Sequence, residues 1–264
     1  MTINDVHTIS AIFDKQIKIF KEACEYILHT DTKYSEELFL LLLGISDSLE
    51  SLSVLSKINK MRDCYVISRM IYETTINVLY ISATNFEAMK DMIEYTKEKS
   101  KFESARSIAT DKEAVFFAFD GEKHIISFSK NNPINMKGDP RDWTGVNISN
   151  RINLINKQYG DMVARFLQIA HLTIYRTSSD IVHGTLYGMR HSLGIVNRKN
   201  QSFSVEGMIN HNFSTIITLM LTVSQCVYSI LFAFNKELGL EEYEKQYNQL
   251  LEEFLKKGQE VLKK

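Results

Sequence analysis

Proline occurs at only two positions in this 264-residue chain, and both lie in one short stretch. Every segment outside Pro133 and Pro140 is therefore free of the residue that most strongly interrupts a helix. Elsewhere, apolar residues recur at spacings of three and four, which is the period of an amphipathic helix. The chain is 44% hydrophobic and 24% charged, as is ordinary for a globular protein. We therefore expect an all-α fold, a helical bundle.

The periodic pattern divides the chain into helical segments separated by short breaks. It predicts helices over residues 5–29, 35–59, 62–83, 86–109, 150–159, 161–183 and 205–235, and a last helix from residue 241. Between residues 111 and 145 the period fails, and FFAFDGEKHIISF places an Asp-Gly turn between two apolar runs. This pattern predicts an inserted loop or short β-hairpin around residues 111–145. No repeat or linker marks a boundary, so we expect a single domain over residues 1–264, with C-terminal helices at 205–262.

Two features bear on where the protein works. Cys24, Cys64 and Cys226 lie far apart in apolar helical stretches, with no C-x-x-C pair, so we expect reduced thiols in the core. The first ten residues, MTINDVHTIS, have neither a basic region nor an apolar run, so we expect no signal peptide. The predicted location is the cytoplasm.

One uncharged segment is long enough to cross a bilayer. Residues 213–235 contain no charged side chain. They do contain more polar groups than a lipid-facing helix usually tolerates, namely Ser214, Thr215, Thr218, Thr222, Ser224, Gln225, Ser229 and Asn235. We therefore favour a buried bundle helix over a membrane span, and expect no membrane partner.

Positive charge is concentrated in the middle of the chain. The formal net charge of the whole chain is -1, but residues 130–199 hold ten basic and four acidic side chains. If these charges share one face, they would attract a polyanion. If they are spread over several faces, they form an ordinary solvated surface.

The segment RTSSDIVH holds the most concentrated set of side chains able to do chemistry. Residues seven apart on an α-helix differ by about 20° in direction. Arg176, Ser179, Asp180 and His183 therefore form one polar stripe on a helix that is otherwise apolar. The polar stripe faces solvent, a cleft or a buried polar network, and a buried network would need a partner for every group.

A second polar feature lies in the helix ISRMIYETTINVLYI. Arg69 and Glu73 are four residues apart, so they are neighbours on one helix face. The surrounding residues are too apolar for a routine surface ion pair, and a buried ion pair seldom adds much stability. Two interpretations follow: a functional pair, or an interior ion pair that joins two helices.

Other chemistries find little support. The chain has no H-E-x-x-H motif, tight His/Cys cluster or G-x-x-x-x-G-K-[ST] loop, so we expect neither a metal nor a cofactor. Ser179, Asp180 and His183 supply the residue types of a hydrolase triad, but they crowd one helix and no G-x-S-x-G elbow is present. His171 and His191 are candidates to line the same region, although isolated histidines are more often structural.

Several short motifs together give the chain a resemblance to a family. They are an R-x-x-x-E helix at Arg69 and Glu73, an inserted loop, DWTG with Trp143 to Gly145, Asn150 with Arg151, and S-x-x-x-H-G at Ser179 to Gly184. Over roughly Arg62 to Arg190, this pattern resembles bacterial helical proteins known only as a domain of unknown function.

The pattern is in turn similar to the HEPN superfamily, helical bundles whose nuclease members carry an arginine and, a few residues later, a histidine. That resemblance implies metal-independent RNA cleavage, usually at a homodimer interface, in toxin–antitoxin or antiphage defence systems. It gives catalytic roles to Arg176 and His183, helped by Ser179 or Asp180. The supporting residues are Arg69, Glu73, Arg190 and His191. Thr177 departs from the pattern, because such nucleases commonly place Asn, His or Asp directly after the arginine.

The chemistry is reasonable for these side chains. Attack of a 2′-hydroxyl on phosphorus needs a proton acceptor, a role that the imidazole of His183 can fill, and a cation for the charge that builds on the phosphate, which Arg176 can supply. The alternative is a non-enzymatic binding or scaffold module, a subunit that senses or pairs with a partner protein. An enzyme predicts that the polar stripe opens into a cleft rich in Arg and Lys. A scaffold predicts that Arg176 and His183 are buried and paired.

Overall fold

The structure confirms the all-α helical bundle with a short β-hairpin inserted in it. This computed structural model describes residues 2–30, 34–103, 105–110, 113–119, 124–129, 143–194 and 204–263. The chain forms two compact units: a helical unit of Met1–Ala83 with Ile148–Lys264, and an inserted unit of Thr84–Asn147. A single domain over residues 1–264 stays a prediction.

The helical unit begins with three long helices at the positions that the periodicity predicts. They are α1 (Ile3–Leu28), α2 (Ser35–Lys57) and α3 (Met61–Ala83). A capping box starts α1, because the Thr2 side chain accepts from the Asp5 N–H and the Asp5 carboxylate accepts from the Thr2 N–H. Contacts run from α1 to α2 and from α2 to α3.

The inserted unit consists of a helix and a small sheet. It contains α4 (Glu87–Glu103), β1 (Ala105–Ala109), β2 (Ala114–Phe119) and β3 (His124–Ser129), and the three strands pair antiparallel in the order β1-β2-β3. The predicted hairpin corresponds to β2 and β3. Its Asp-Gly turn, and both prolines, lie outside the described residues. The prediction that the fourth helix continues to Ala109 was wrong, because pairing with β2 holds residues 105–109 in a strand.

The second part of the helical unit holds the predicted site. It comprises α5 (Ile148–Tyr159), α6 (Asp161–Ala170), a single π-helical turn (His171–Tyr175, hereafter the π-turn), α7 (Arg176–Val182), α8 (Leu186–Ser192), α9 (Val205–Leu238) and α10 (Glu241–Leu262). The sequence predicted one regular helix over 161–183. The structure interrupts it with the π-turn, which inserts one residue into the helical register.

Helix α9 lies at the centre of the helical unit and contacts α1, α3, α6 and α10. Its Ile216, Val223 and Ile230 are fully buried, and each such side chain contributes about 1.5–3 kcal/mol relative to an exposed one. Two of the polar side chains along α9 have partners within the helical unit: Ser224 donates to Gln16 Oε1 at 2.8 Å, and Thr222 donates to the carbonyl of Thr218.

Two of the described helices, α2 and α9, are long and apolar enough to cross a membrane by length and composition alone. In α9, 78% of the most apolar window is buried within the structure, compared with 44% in α2. A buried core helix passes the same test, so these two helices are weak evidence about a membrane. The cytoplasmic location stays a prediction.

The three cysteines are free and buried, as the sequence predicted. Burial raises the pKa of the Cys24 and Cys64 thiols to about 12, and that of Cys226 likewise. The thiolate is the reactive form, so these three residues are packing groups rather than nucleophiles.

Candidate functional site

A cluster of aromatic and charged side chains joins α3 to the π-turn. Its members are Arg69, Tyr72, Glu73, His171 and Tyr175, which we call the π-turn cluster. The His171 ring stacks on Tyr175 with 4.9 Å between ring centroids and 16° between ring planes. The Arg69 guanidinium lies 4.6 Å from the centroid of the same Tyr175 ring. Single π-helical turns are rare and often occur at functional sites, so this cluster marks a candidate site.

The ion pair that the sequence suggested is present, with 3.0 Å between Arg69 Nε and Glu73 Oε1. It differs from the expectation of a buried pair, because the two side chains are 21% and 42% exposed. It also lies within α3 and does not join two helices. Such a pair contributes about 0.3–0.5 kcal/mol. The contact that reaches the π-turn is instead the cation–π contact from Arg69 to Tyr175.

On its buried side, the π-turn cluster contains a hydrogen bond between Tyr72 and His171. The Tyr72 hydroxyl lies 3.0 Å from Nδ1 of His171. Burial raises the pKa of the Tyr72 phenol well above its usual range, so the phenol keeps its proton. Burial, together with the nearby charge of Arg176, lowers the pKa of His171. A neutral imidazole that accepts from Tyr72 at Nδ1 carries its own proton on Nε2 and can donate it to a ligand.

A pocket of about 310 Å³ opens beside His171, between α5, α6 and the π-turn. The residues that line it include Ser149, Ile152, Asn153, Gln168, His171 and Leu172. Ile152 is buried, whereas the carboxamides of Asn153 and Gln168 are exposed. No charged side chain is among the described residues that line this pocket.

The polar stripe divides into an exposed part and a structural part. Arg176 and His183 are exposed, and neither side chain has a hydrogen bond or ion pair to any residue that the structure describes. Asp180 is half-buried and belongs to the turn between α7 and α8: its carbonyl accepts from the Thr185 N–H at 3.1 Å, and its Oδ1 lies 3.4 Å from the Thr185 hydroxyl. Asp180 is therefore already engaged by Thr185, while Ser179 is half-buried.

These positions match neither the cleft rich in Arg and Lys that an enzyme predicts nor the buried and paired side chains that a scaffold predicts. Arg176 and His183 are not buried and paired. The adjacent pocket, however, is not rich in Arg or Lys, and the structure does not place His183 among its lining residues. Arg176 is the link between the polar stripe and the π-turn cluster, because it follows Tyr175 directly and its charge acts on His171.

His191 belongs to a separate cluster, which the sequence analysis did not foresee. Its ring lies 5.8 Å from Tyr65 and 5.9 Å from His211, measured between centroids. His211 Nε2 lies 3.1 Å from the carbonyl of His191, and His191 Nδ1 is buried without a partner among the described residues. Burial and His211 lower the pKa of His191, which Asp180 partly offsets. Arg190, the neighbouring candidate, is exposed.

The close approach of α8 to α7 depends on Gly188. A Cβ atom at this position would lie 2.5 Å from the carbonyl oxygen of Asp180, a distance that real contacts do not show. The Thr185 hydroxyl caps α8 by accepting from the Gly188 N–H at 3.0 Å. The turn between the two helices therefore holds His183 at the end of α7 and directs α8 back along it.

The motif residues outside the polar stripe have structural partners. Arg151 is 8% exposed and donates to Asn77 Oδ1 at 2.9 Å, which ties α5 to α3. In the DWTG motif, the Thr144 hydroxyl accepts from the Val146 N–H at 3.0 Å, and Gly145 has a positive φ of 60°. Each of these contacts stabilises its own segment of the chain.

The fold and site define a helical-bundle protein with an aromatic and cationic cluster at a π-turn. The chain belongs to a family of unknown function (DUF5677), whose model matches residues 37–202. That match covers α2 to α8 and so includes the π-turn cluster, the pocket and the polar stripe. Comparison with curated proteins gave no match, and comparison with solved structures also gave none.

Proposed function

We propose that this protein is a HEPN-like, metal-independent ribonuclease in which Arg176 and His183 act on one phosphodiester. One observation carries the proposal. Arg176 is the first residue of α7 and His183 directly follows its last residue, and both side chains are exposed and without a protein partner in the described part of the chain. A cation and an imidazole that are not engaged by the fold are available to a substrate.

The reaction follows from what the two side chains can do. His183 takes the proton of a ribose 2′-hydroxyl, the 2′-oxygen bonds to the adjacent phosphorus, and the bond to the 5′-oxygen breaks. The products are a 2′,3′-cyclic phosphate and a 5′-hydroxyl, whose proton comes from water. Arg176 stabilises the charge that builds on the phosphoryl oxygens. The two residues are about 10 Å apart along the helix axis, so a phosphodiester can lie between their side chains.

Further exposed cations in the same stretch of the chain favour a polyanionic substrate. Exposed cations also occur at Lys157 on α5, Arg165 on α6 and Arg190 on α8. Cations near a phosphate backbone raise its affinity by releasing counterions, which makes binding weaker at high salt. A homodimer, as the resemblance implies, would bring together two copies of the Arg176 and His183 pair. A role in toxin–antitoxin or antiphage defence is part of the same proposal.

Cleavage of mixed cellular RNA in the presence of a chelator tests this function. We expect the native chain to cut RNA, and His183→Ala and Arg176→Ala each to lose most of that activity. His29→Ala is the matched control for the histidine, because His29 is likewise exposed at the residue that follows a helix. Arg62→Ala is the matched control for Arg176→Ala, since Arg62 is exposed on α3. Native chain that leaves RNA intact, or His183→Ala that cuts equally well, would contradict the proposal.

A second candidate function rests on exposed apolar side chains in the same region. Leu172, Val182, Leu186 and Tyr187 are 61%, 51%, 70% and 52% exposed. Exposed apolar patches commonly mark protein interfaces, so a binding or scaffold module is the competing proposal. It predicts that Leu186→Ser abolishes association with a partner or a second copy and that the native chain has no RNA cleavage. Light scattering after size-exclusion chromatography measures the self-association.

A further inference from the structure

The pocket beside the π-turn has the size and lining of a small-molecule site. Its volume of about 310 Å³ is at the lower end of the range, about 300–1,000 Å³, in which ligand pockets fall. The buried side chain of Ile152 supplies an apolar wall, and Leu172, 61% exposed, supplies another at the rim. A small group with an apolar surface suits such a pocket.

The polar groups of the pocket are suited to the edge of a heterocycle. Asn153 on α5 and Gln168 on α6 both line it, and neither carboxamide has a hydrogen bond to any residue that the structure describes. A carboxamide offers both a donor and an acceptor, which is the combination that pairs with the edge of a nucleobase. His171 adds an imidazole that Tyr72 holds in place at 3.0 Å.

The charges around the pocket separate a neutral part of the ligand from an anionic part. No Asp, Glu, Lys or Arg side chain is among the described residues lining the pocket, so the enclosed group should be uncharged. Arg176 lies just beyond the π-turn and is close enough to His171 to act on its ionisation. It is exposed, so it can hold a phosphate that extends from the pocket toward solvent.

We infer that the pocket between α5, α6 and the π-turn binds one nucleobase through Asn153 and Gln168, while Arg176 holds the phosphate attached to that nucleotide. The inference rests on the proposed function, because it names how the RNA would be held. It makes the substrate single-stranded, since a base must leave its helical stack to enter a pocket. The same chemistry belongs to a free mononucleotide.

The π-turn gives this arrangement its geometry. One extra residue in the helix rotates the residues on either side by about 100° relative to each other. Within this turn, His171 lines the pocket and Tyr175 meets Arg69. The stacking of His171 on Tyr175 then fixes the imidazole plane. His171 is thus a positioning and contact residue for the base, distinct from the proton acceptor His183.

Calorimetric titration of the full-length chain tests the inference. The probes are AMP, UMP, inorganic phosphate and a short single-stranded oligoribonucleotide, each in the presence of chelator and at low salt. We expect binding of the nucleotides and the oligoribonucleotide, and much weaker binding of phosphate alone. Gln168→Leu and Asn153→Ala should each weaken nucleotide binding about tenfold, because each removes a hydrogen-bonding group. Gln158→Leu, on the exposed part of α5 outside the pocket lining, should leave it unchanged.

An NMR titration gives an independent readout. The imidazole signal of His171, assigned by its loss in His171→Gln, should shift when AMP is added, whereas that of His29 should not. Tighter binding of the oligoribonucleotide than of AMP identifies RNA as the ligand. Equal affinities identify the free nucleotide. Both results support a base-binding pocket.

The outcomes separate this inference from the proposed function. Nucleotide binding that Gln168→Leu weakens, in a chain that does not cut RNA, supports the pocket and contradicts the nuclease. RNA cleavage with no change of KM in Gln168→Leu supports the nuclease and overturns the pocket. Native chain that binds neither nucleotide nor oligoribonucleotide, with no shift of the His171 signal, also overturns the pocket.

Discussion

His171 and Tyr175 lie one π-helical turn apart, and their rings stack with 4.9 Å between centroids. Tyr175 also meets Arg69 from α3, and His171 meets Tyr72 from the same helix. The two residues of the turn are therefore each held by a partner outside their own helix. Both residues of the π-turn thus contact α3, and His171 also lines the pocket.

The first prediction concerns the contribution of Tyr175 to stability. Tyr175→Ala removes both the stacked imidazole contact and the cation–π contact with Arg69. Since such contacts contribute about 0.5–1.5 kcal/mol each, we expect a loss of about 1–3 kcal/mol in the free energy of unfolding. Urea denaturation measures it. Tyr175→Phe keeps the ring and should stay close to the native chain. Equal stability of Tyr175→Ala and the native chain would show that these contacts do not contribute to the free energy of unfolding.

The second prediction concerns the response of stability to pH. Burial lowers the folded-state pKa of both His171 and His191 below their ordinary value of 6.5. Below that value the unfolded chain binds protons that the folded chain does not, so stability falls as the pH is lowered. Urea unfolding between about pH 7.5 and about pH 5.5 should show this loss. The loss should be smaller in the double variant His171→Gln with His191→Gln. An unchanged slope in that variant would assign the effect to other groups.

The third prediction concerns Gly188. Gly188→Ala would place a methyl group 2.5 Å from the Asp180 carbonyl oxygen, so α8 must move away from α7. We expect a loss of about 1–3 kcal/mol in the free energy of unfolding. Gly44→Ala is the matched control, because Gly44 lies within α2 and nothing lies within 4 Å of an added Cβ. That substitution should be neutral or stabilise by up to about 1 kcal/mol. Thermal or urea unfolding distinguishes the two, and similar effects would contradict the close approach.

The fourth prediction concerns a buried polar network between α3, α5 and α9. The Tyr159 hydroxyl donates to Glu237 Oε1, and the Ser82 hydroxyl donates to Glu237 Oε2 at 2.6 Å. Burial raises the pKa of the Tyr159 phenol, so the hydroxyl remains a donor. Tyr159→Phe should cost about 1–3 kcal/mol in unfolding free energy, because a hydrogen bond to a charged group is lost. Tyr26→Phe, at an exposed position on α1, should cost almost nothing. Comparable losses of unfolding free energy in Tyr159→Phe and Tyr26→Phe would show that the network is not the cause of the destabilisation.

The sequence predicted much of the helical framework and part of the site. The spacing of apolar residues located most of the helices, because a helix and its buried face both follow from residues within a few turns of one another in the sequence. The period could not place the end of α4, since residues 105–109 form a strand only through pairing with β2. The spacing of Arg69 and Glu73 correctly indicated an ion pair, but its exposure depends on what packs beside α3.

What the sequence determined by itself is the helical class, the buried character of α9 and the presence of a polar stripe from Arg176 to His183. Tertiary structure alone decided the π-turn, the partnership of Tyr72 with His171 and that of His191 with His211. Tyr72 and His171 are 99 residues apart, so no local sequence pattern predicts their contact. The physical reason is that a helical period reports hydrogen bonds along one segment, whereas a site is formed by side chains from several helices that meet only after packing.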